Sequence, residues 1–314
     1  MNRLYQWLPA STADRRVRFF AWASLVSQIL IVGTGGAVRL TGSGLGCPTW
    51  PRCTEDSFVS TPEMGIHGII EFGNRLLTFV LVIIAILAFL FILRMRRERP
   101  ELLRLTVALG LGIPLQAVIG GITVLTQLNP WIVGLHFVVS AVLVALAVVF
   151  VQRVYRGPTT GELLVPHSVQ ALAIATAVGA WITVLVGIVV TGSGPHAGDG
   201  GAARNGLDSE VLQHLHAWPA YITFGLSVLL LVTALRLGLP PLRRSVIGLL
   251  AVEVVQIAVG LAQARLGLPE LLVGIHMVLA CVLIAMATLV LLTLRRSQSV
   301  ASVAASDEEF ALTR

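Results

Sequence analysis

Long apolar runs separated by short polar, glycine-rich or proline-rich breaks set the rhythm of this chain. Eight runs stand out, at roughly 17–38, 64–93, 103–126, 131–152, 168–190, 211–235, 245–265 and 270–294. A bilayer core takes about 20 apolar residues per helical crossing, so each run predicts one membrane-spanning helix. The first follows Arg15, Arg16 and Arg18 and imitates a secretory signal, but it is long and has no small-residue cleavage site, so it is read as a retained span. The fold class expected is an all-α integral membrane protein with eight transmembrane helices.

Composition strengthens that expectation. Of 314 residues, 56% are hydrophobic and only 12% are charged, with a mean hydropathy of +0.87. That is too little polar surface to coat a water-soluble globule. All basic residues are arginine, and they cluster at the N-terminus, at 94–104, at Arg153 and Arg156, at 236–244 and at Arg295 and Arg296. By the positive-inside rule these segments face the cytoplasm, which puts both termini there and the protein in the cell membrane. The loops 39–63 and 191–210 and the turns near 127–130 and 266–269 then face outward. A pI near 10.2 follows from this topology and implies no nucleic-acid partner. The polar, small-residue tail 298–314 is expected to be disordered.

Two stretches repeat. VRLTGSGLGCPTWPRC (38–53) has a shortened echo in VVTGSGPHAGD (189–199), and residues 115–147 align with 255–287 without a gap. That alignment pairs Gln116 with Gln256, Gly120 with Gly260, Gly134 with Gly274 and His136 with His276. EFGNRLLTF (71–79) falls on QHLHAWPAY (213–221), so Asn74 stands opposite His216. Four helices per half give both halves one orientation, related by a two-fold axis along the membrane normal. The expected organisation is a four-helix bundle at 1–157, a second at 158–297, and the tail.

His136 and His276 each follow the outer end of their helix by about six residues, a descent of roughly 9 Å, and His216 sits at a similar depth. Polar groups inside a bilayer must face partners, and histidines on two helices of one bundle can grip an iron from both sides. His216 and His276 therefore suggest a bis-imidazole haem, against the plainer reading of buried, hydrogen-bonded histidines. The first half offers His136 but has Asn74 at the other position. His67, Glu71, Asn74 and Thr78 share one helical face, which makes His67 a candidate substitute ligand and Glu71 a candidate reactive acid. A Glu71–Arg75 ion pair at i, i+4 is the competing account of that acid. Arg39 and Arg75 near the outer surface suit haem carboxylates, or they snorkel. Cys47 and Cys53 share the oxidising side, where a bridge can persist. Cys281 reads as a small buried hydrophobe, and Glu253 has no assignment.

With those residues in view, the chain resembles the haem A synthase (Cox15/CtaA-like) family over nearly its whole length. The resemblance rests on RLTGSGLGCPTWPRC, IEFGNR, GLH, QHLHAWPAY and GIH, and the cysteine pair with GNR is similar to the actinobacterial type. It implies oxidation of a methyl group of haem O to a formyl group, giving haem A for cytochrome oxidase. It further implies a haem b cofactor on His216 and His276, substrate haem O beside His136 and the essential Glu71, and a disulfide between Cys47 and Cys53. Haem O synthase is the implied source of substrate. The electron donor and any homo-oligomer stay open. Asn74 in place of histidine and Ala217 in place of arginine depart from the family pattern. A dihaem electron-transfer cytochrome and a transporter with histidine proton relays are the competing classes.

Overall fold

The computed structural model describes residues 7–297, so the tail expected to be disordered, 298–314, lies outside the described residues. Eight helices long and apolar enough to cross a membrane are present among them: α1 (Arg15–Leu40), α2 (Gly65–Leu93), α3 (Pro100–Leu125), α4 (Pro130–Arg156), α5 (His167–Ser193), α6 (Ser209–Arg236), α7 (Pro240–Arg265) and α8 (Glu270–Leu292). Six of the eight, all but α2 and α8, start one to five residues before their apolar run because caps lie outside the greasy stretch. Asp14, Asn129 and Asp208 accept backbone N–H groups at the starts of α1, α4 and α6. Pro100, Pro130 and Pro240 occupy first helical turns, where a missing N–H costs nothing. Exposed leucine, isoleucine, valine and phenylalanine side chains run along the spans, as a lipid-facing surface requires. The protein is a multi-pass membrane protein.

Helix α1 packs on α2 and α4, and α3 packs on α2 and α4; likewise α6 packs on α5 and α7, and α8 on α7 and α5. Contacts of α8 with α1 and α4, and of α4 with α5, join the two sets. One apolar cluster draws mainly on α1 to α4, around Val17, Ile92, Leu102, Val144 and Phe150, with Cys281 and Ala285 of α8 added. A second draws on α5 to α8, around Val169, Leu230, Leu249 and Ile284.

The sequence repeat is a repeat in backbone as well. After α3, Gln127 and Leu128 take φ of 51° and 59°, and after α7 the matching Gly267 and Leu268 take 74° and 61°. In both turns an N–H closes back on the helix at 2.8 Å, Leu128 to the Thr123 carbonyl and Leu268 to that of Gln263. The TGSG echo is less faithful. Gly42 adopts φ 66° and follows the end of α1, whereas Thr191 to Ser193 remain in the last turn of α5.

One element has no counterpart in the apolar pattern: strands β1 (Thr159–Leu163) and β2 (Arg295–Ser297) pair antiparallel. An isolated two-stranded ribbon is marginal, and here the ends of α4, α5 and α8 hold it, with a Glu162–Arg296 ion pair at 3.1 Å.

Candidate functional site

A cavity of about 1180 Å³ lies toward the helix ends joined by the loops at 41–64 and 194–208, and takes its lining from both halves. Glu71, Asn74, Gln116 and His136 line it from the first, and Gln213, His216, Gln256 and His276 from the second. The volume exceeds the upper end, about 1,000 Å³, of ordinary small-molecule pockets.

In the second half the imidazoles of His216 (α6) and His276 (α8) face each other with centroids 6.2 Å apart and planes at 79°. Two imidazoles on opposite faces of one metal ion, with bonds of about 2.0 Å and about 1.2 Å from nitrogen to ring centre, set their centroids about 6.4 Å apart. The observed spacing therefore fits a bis-imidazole iron. Glycines make room for the rings: a side chain at Gly260 would meet His276 Cε1 at 3.3 Å, and one at Gly187 would meet His216 Cε1 at 2.8 Å.

The first half repeats part of this. A side chain at Gly120 would meet His136 Cε1 at 3.3 Å. Gln116 donates to the His136 carbonyl at 3.2 Å, as Gln256 donates to that of His276 at 3.1 Å. Both glutamines leave Oε1, and both histidines leave Nδ1, buried without a partner. Buried polar atoms are rarely left so, and four orphans in two equivalent places fit a cavity shaped for a ligand. The repeat marked these glutamines as equivalent, but only the fold shows each holding the backbone of its histidine.

Asn74 occupies the place corresponding to His216, with Oδ1 buried and unpartnered, so the structure brings one imidazole to this half of the cavity. His67, the candidate substitute, does not line it. The residue is exposed, with Nδ1 2.9 Å from Ser43 Oγ, and Gly46 packs directly on its backbone. The loop between α1 and α2 thus covers the first turn of α2 and separates His67 from the cavity that Glu71 reaches one turn further along.

Glu71 is buried and fully engaged. Cys47 N–H donates to Oε2 at 2.6 Å, and Arg75 donates to Oε1 through Nε at 3.1 Å and Nη2 at 2.5 Å. The i, i+4 ion pair is therefore present, and the acid lines the cavity as well. Arg75 also donates to the carbonyls of Cys47, Thr49 and Arg52 at 3.1 to 3.2 Å. All three lie in the loop that the Cys47–Cys53 disulfide closes. Trp50 from the same loop lines the cavity and packs against Gly121 of α3; no pattern in the sequence singled it out.

Arg39 lines the cavity too, but its Nε donates to the His196 carbonyl at 2.6 Å and its Nη2 to the Thr191 carbonyl at 2.9 Å. With Gly44 N–H donating to the Gly198 carbonyl at 2.8 Å, it ties the α1–α2 loop to the α5–α6 loop. Cys281 is a free buried thiol, and Glu253 is buried below the cavity lining, bonded to Ser227.

The family model described as COX15-CtaA, cytochrome oxidase assembly protein, matches residues 18–288. Among curated proteins, the chain is 29% identical over 150 residues to the heme A synthase of Geobacillus thermodenitrificans, covering 47% of this chain and 46% of that one. It is 30% identical over 185 residues to that of Lysinibacillus sphaericus (56% and 58%), and 27% identical over 138 residues to that of Listeria welshimeri (42% and 44%). The chain spans about half the length of the curated relatives it matches.

Proposed function

We propose, from the premise that this chain belongs to the COX15-CtaA family, that it is a haem A synthase: a membrane oxidoreductase that converts a methyl group of haem O into the formyl group of haem A for cytochrome oxidase assembly. The observation that carries the reading is the facing pair His216 and His276 in the same cavity that holds His136 and Glu71.

In this reading residues 1–157 and 158–297 are two four-helix bundles with separate tasks, the first for substrate and the second for a resident haem b. His216 and His276 hold the haem b, which when bound supplies electrons to the substrate half. Gln256 fixes the backbone of His276, and Gly187 and Gly260 let both rings approach. In the first half His136 takes the substrate iron, while Asn74 leaves its opposite face without an imidazole. One open face is what chemistry at the substrate requires, whereas two imidazoles suit an electron carrier.

Glu71 is the reacting acid. Its charge is held in place by Arg75 and by Cys47 N–H, so its carboxylate accepts and returns protons from a constant position as an external oxidant hydroxylates the methyl group, in two rounds. Trp50 and the disulfide loop close the outer end and keep water away. Arg39 braces the rim and leaves the carboxylates of bound haem a cationic edge. The N- and C-termini face the cytoplasm of the cell membrane, and haem O arrives from haem O synthase.

Pigment extraction from membranes co-expressing this chain with a source of haem O tests the reading. A formyl-bearing haem that depends on the chain supports it. Unchanged haem O beside an intact b-type spectrum overturns it in favour of a pure electron carrier.

A further inference from the structure

The C-terminal half contains an acid that the proposed reaction does not use. Glu253 of α7 is 5% exposed. The Ser227 hydroxyl, itself fully buried, donates to its Oε1 at 2.8 Å, while Oε2 is buried without a partner. No ion pair among the described residues involves it. A carboxylate within a membrane, with one oxygen unsatisfied and no counter-charge, is costly, and a proton on Oε2 removes the charge.

Its placement connects it to the cavity. Glu253, Gln256 and Gly260 follow i, i+3, i+7 on one face of α7, and Gln256 lies about 4.5 Å further along the axis. Gln256 and Gly260 both line the cavity against His276. Carrying the gap-free register two residues beyond the 255–287 repeat sets Glu253 opposite Ile113, which lines the cavity in the first half. Carrying the 213–221 match six residues further sets Ser227 opposite Ala85. The acid and its hydroxyl partner therefore occur in one half only, the half with paired imidazoles, so bundle packing does not account for them.

We propose that Glu253 holds the compensating proton of the C-terminal half. When a one-electron donor reduces the iron between His216 and His276, Glu253 Oε2 takes a proton from water; when the electron leaves, the proton leaves with it. This rests on the reading of those two histidines as ligands of a resident haem. The electron and proton enter and depart together, so the buried charge of the half stays constant. Ser227 keeps its hydrogen bond in both states.

Other titratable groups around α7 are placed differently. On α6, Glu210 and His214 lie at the outer rim, Tyr221 is half exposed and Arg236 is exposed at the inner end; on α8, Glu270 is exposed and Cys281 packs into the other helix cluster. Arg243, Arg244 and Arg265 of α7 itself are exposed. His216 and His276 are the remaining titratable groups, and both line the cavity.

The test uses the purified full chain with its haem, in wild-type, Glu253→Gln, Glu253→Asp and Ser227→Ala forms. Optical spectra and haem content come first. If the wild type holds no bis-imidazole haem, the ligation reading fails and this proposal with it; if wild type and Glu253→Gln hold haem equally, the redox arm decides. Mediated redox titrations over a pH series should show a midpoint that falls as pH rises in the wild type, because the deprotonated acid favours oxidised iron. The slope should vanish in Glu253→Gln and return in Glu253→Asp. Reduced-minus-oxidised infrared spectra should gain a protonated carboxyl band, shifted in Ser227→Ala and absent in Glu253→Gln. A Glu253→Gln protein with the wild-type slope and band overturns the proposal. Where that variant fails to fold, an unshifted band in both Ser227→Ala and Glu253→Asp does the same.

Discussion

The two halves of this protein share a backbone device and differ in the chemistry mounted on it. Each has a glutamine that grips the carbonyl of a helix histidine, a glycine facing that ring and a left-handed turn before its helix. In the second half a further imidazole completes a pair 6.2 Å apart. The first half substitutes Asn74 and surrounds its cavity with Glu71, Arg75 and a disulfide-closed loop. What both copies keep is what sets helix spacing and ring access, while other side chains lining the cavity differ. In the proposed function, one copy suits a permanently held iron and the other a reacting one.

Breaking the second half should have the largest effect. Replacing both His216 and His276 with alanine should abolish the b-type Soret band in purified protein, with haem A formation lost as a consequence. Glu71→Gln should lower haem A formation by about 10² or more, the range for losing a positioned acid or base, yet leave the b-type spectrum unchanged. An equal loss in both readouts would mean that Glu71 serves the structure of both halves rather than the reaction of one.

Asn74→His sharpens the comparison by making the first half resemble the second. It should raise the haem retained per chain after purification and move that haem to a six-coordinate, low-spin spectrum. Replacing Cys47 and Cys53 with serine should reduce activity by about 5-fold, since three carbonyls that hold Arg75 lose their closed loop and removal of one well-placed bond costs about 1 kcal/mol. The b-type haem should survive, as measured by pyridine haemochrome. The smallest effect belongs to His67→Ala, which removes a single exposed hydrogen bond to Ser43. Haem content and product yield should match the wild type; a lost substrate haem would restore His67 as a ligand.

Much of this was legible in the residue pattern, and for definite reasons. Spans such as α2 and α8 show as apolar runs because a bilayer demands them locally. The equivalence of His136 and His276 shows because a gap-free repeat preserves helical phase. The cover over His67 was not legible, because helical spacing shares a face with Glu71 without saying what lies on that face; Ser43 and Gly46 come from a loop more than twenty positions away. The bonds of Arg39 to the His196 and Thr191 carbonyls were likewise hidden, since those partners belong to the other half. The β1–β2 ribbon joins segments more than 130 residues apart, and neither strand carries an alternating pattern long enough to announce itself.

The sequence by itself determined that the chain has eight membrane-spanning helices, that it is a duplication, and which side chains are candidates for chemistry, since hydropathy, helical phase and residue type are local properties. Only the tertiary structure decided which imidazoles face each other, that Glu71 is clamped by the disulfide loop, that Glu253 retains an empty oxygen beneath the second site, and that one cavity serves both halves. Those outcomes depend on distances between helices far apart in the chain, and packing sets such distances where no local pattern can.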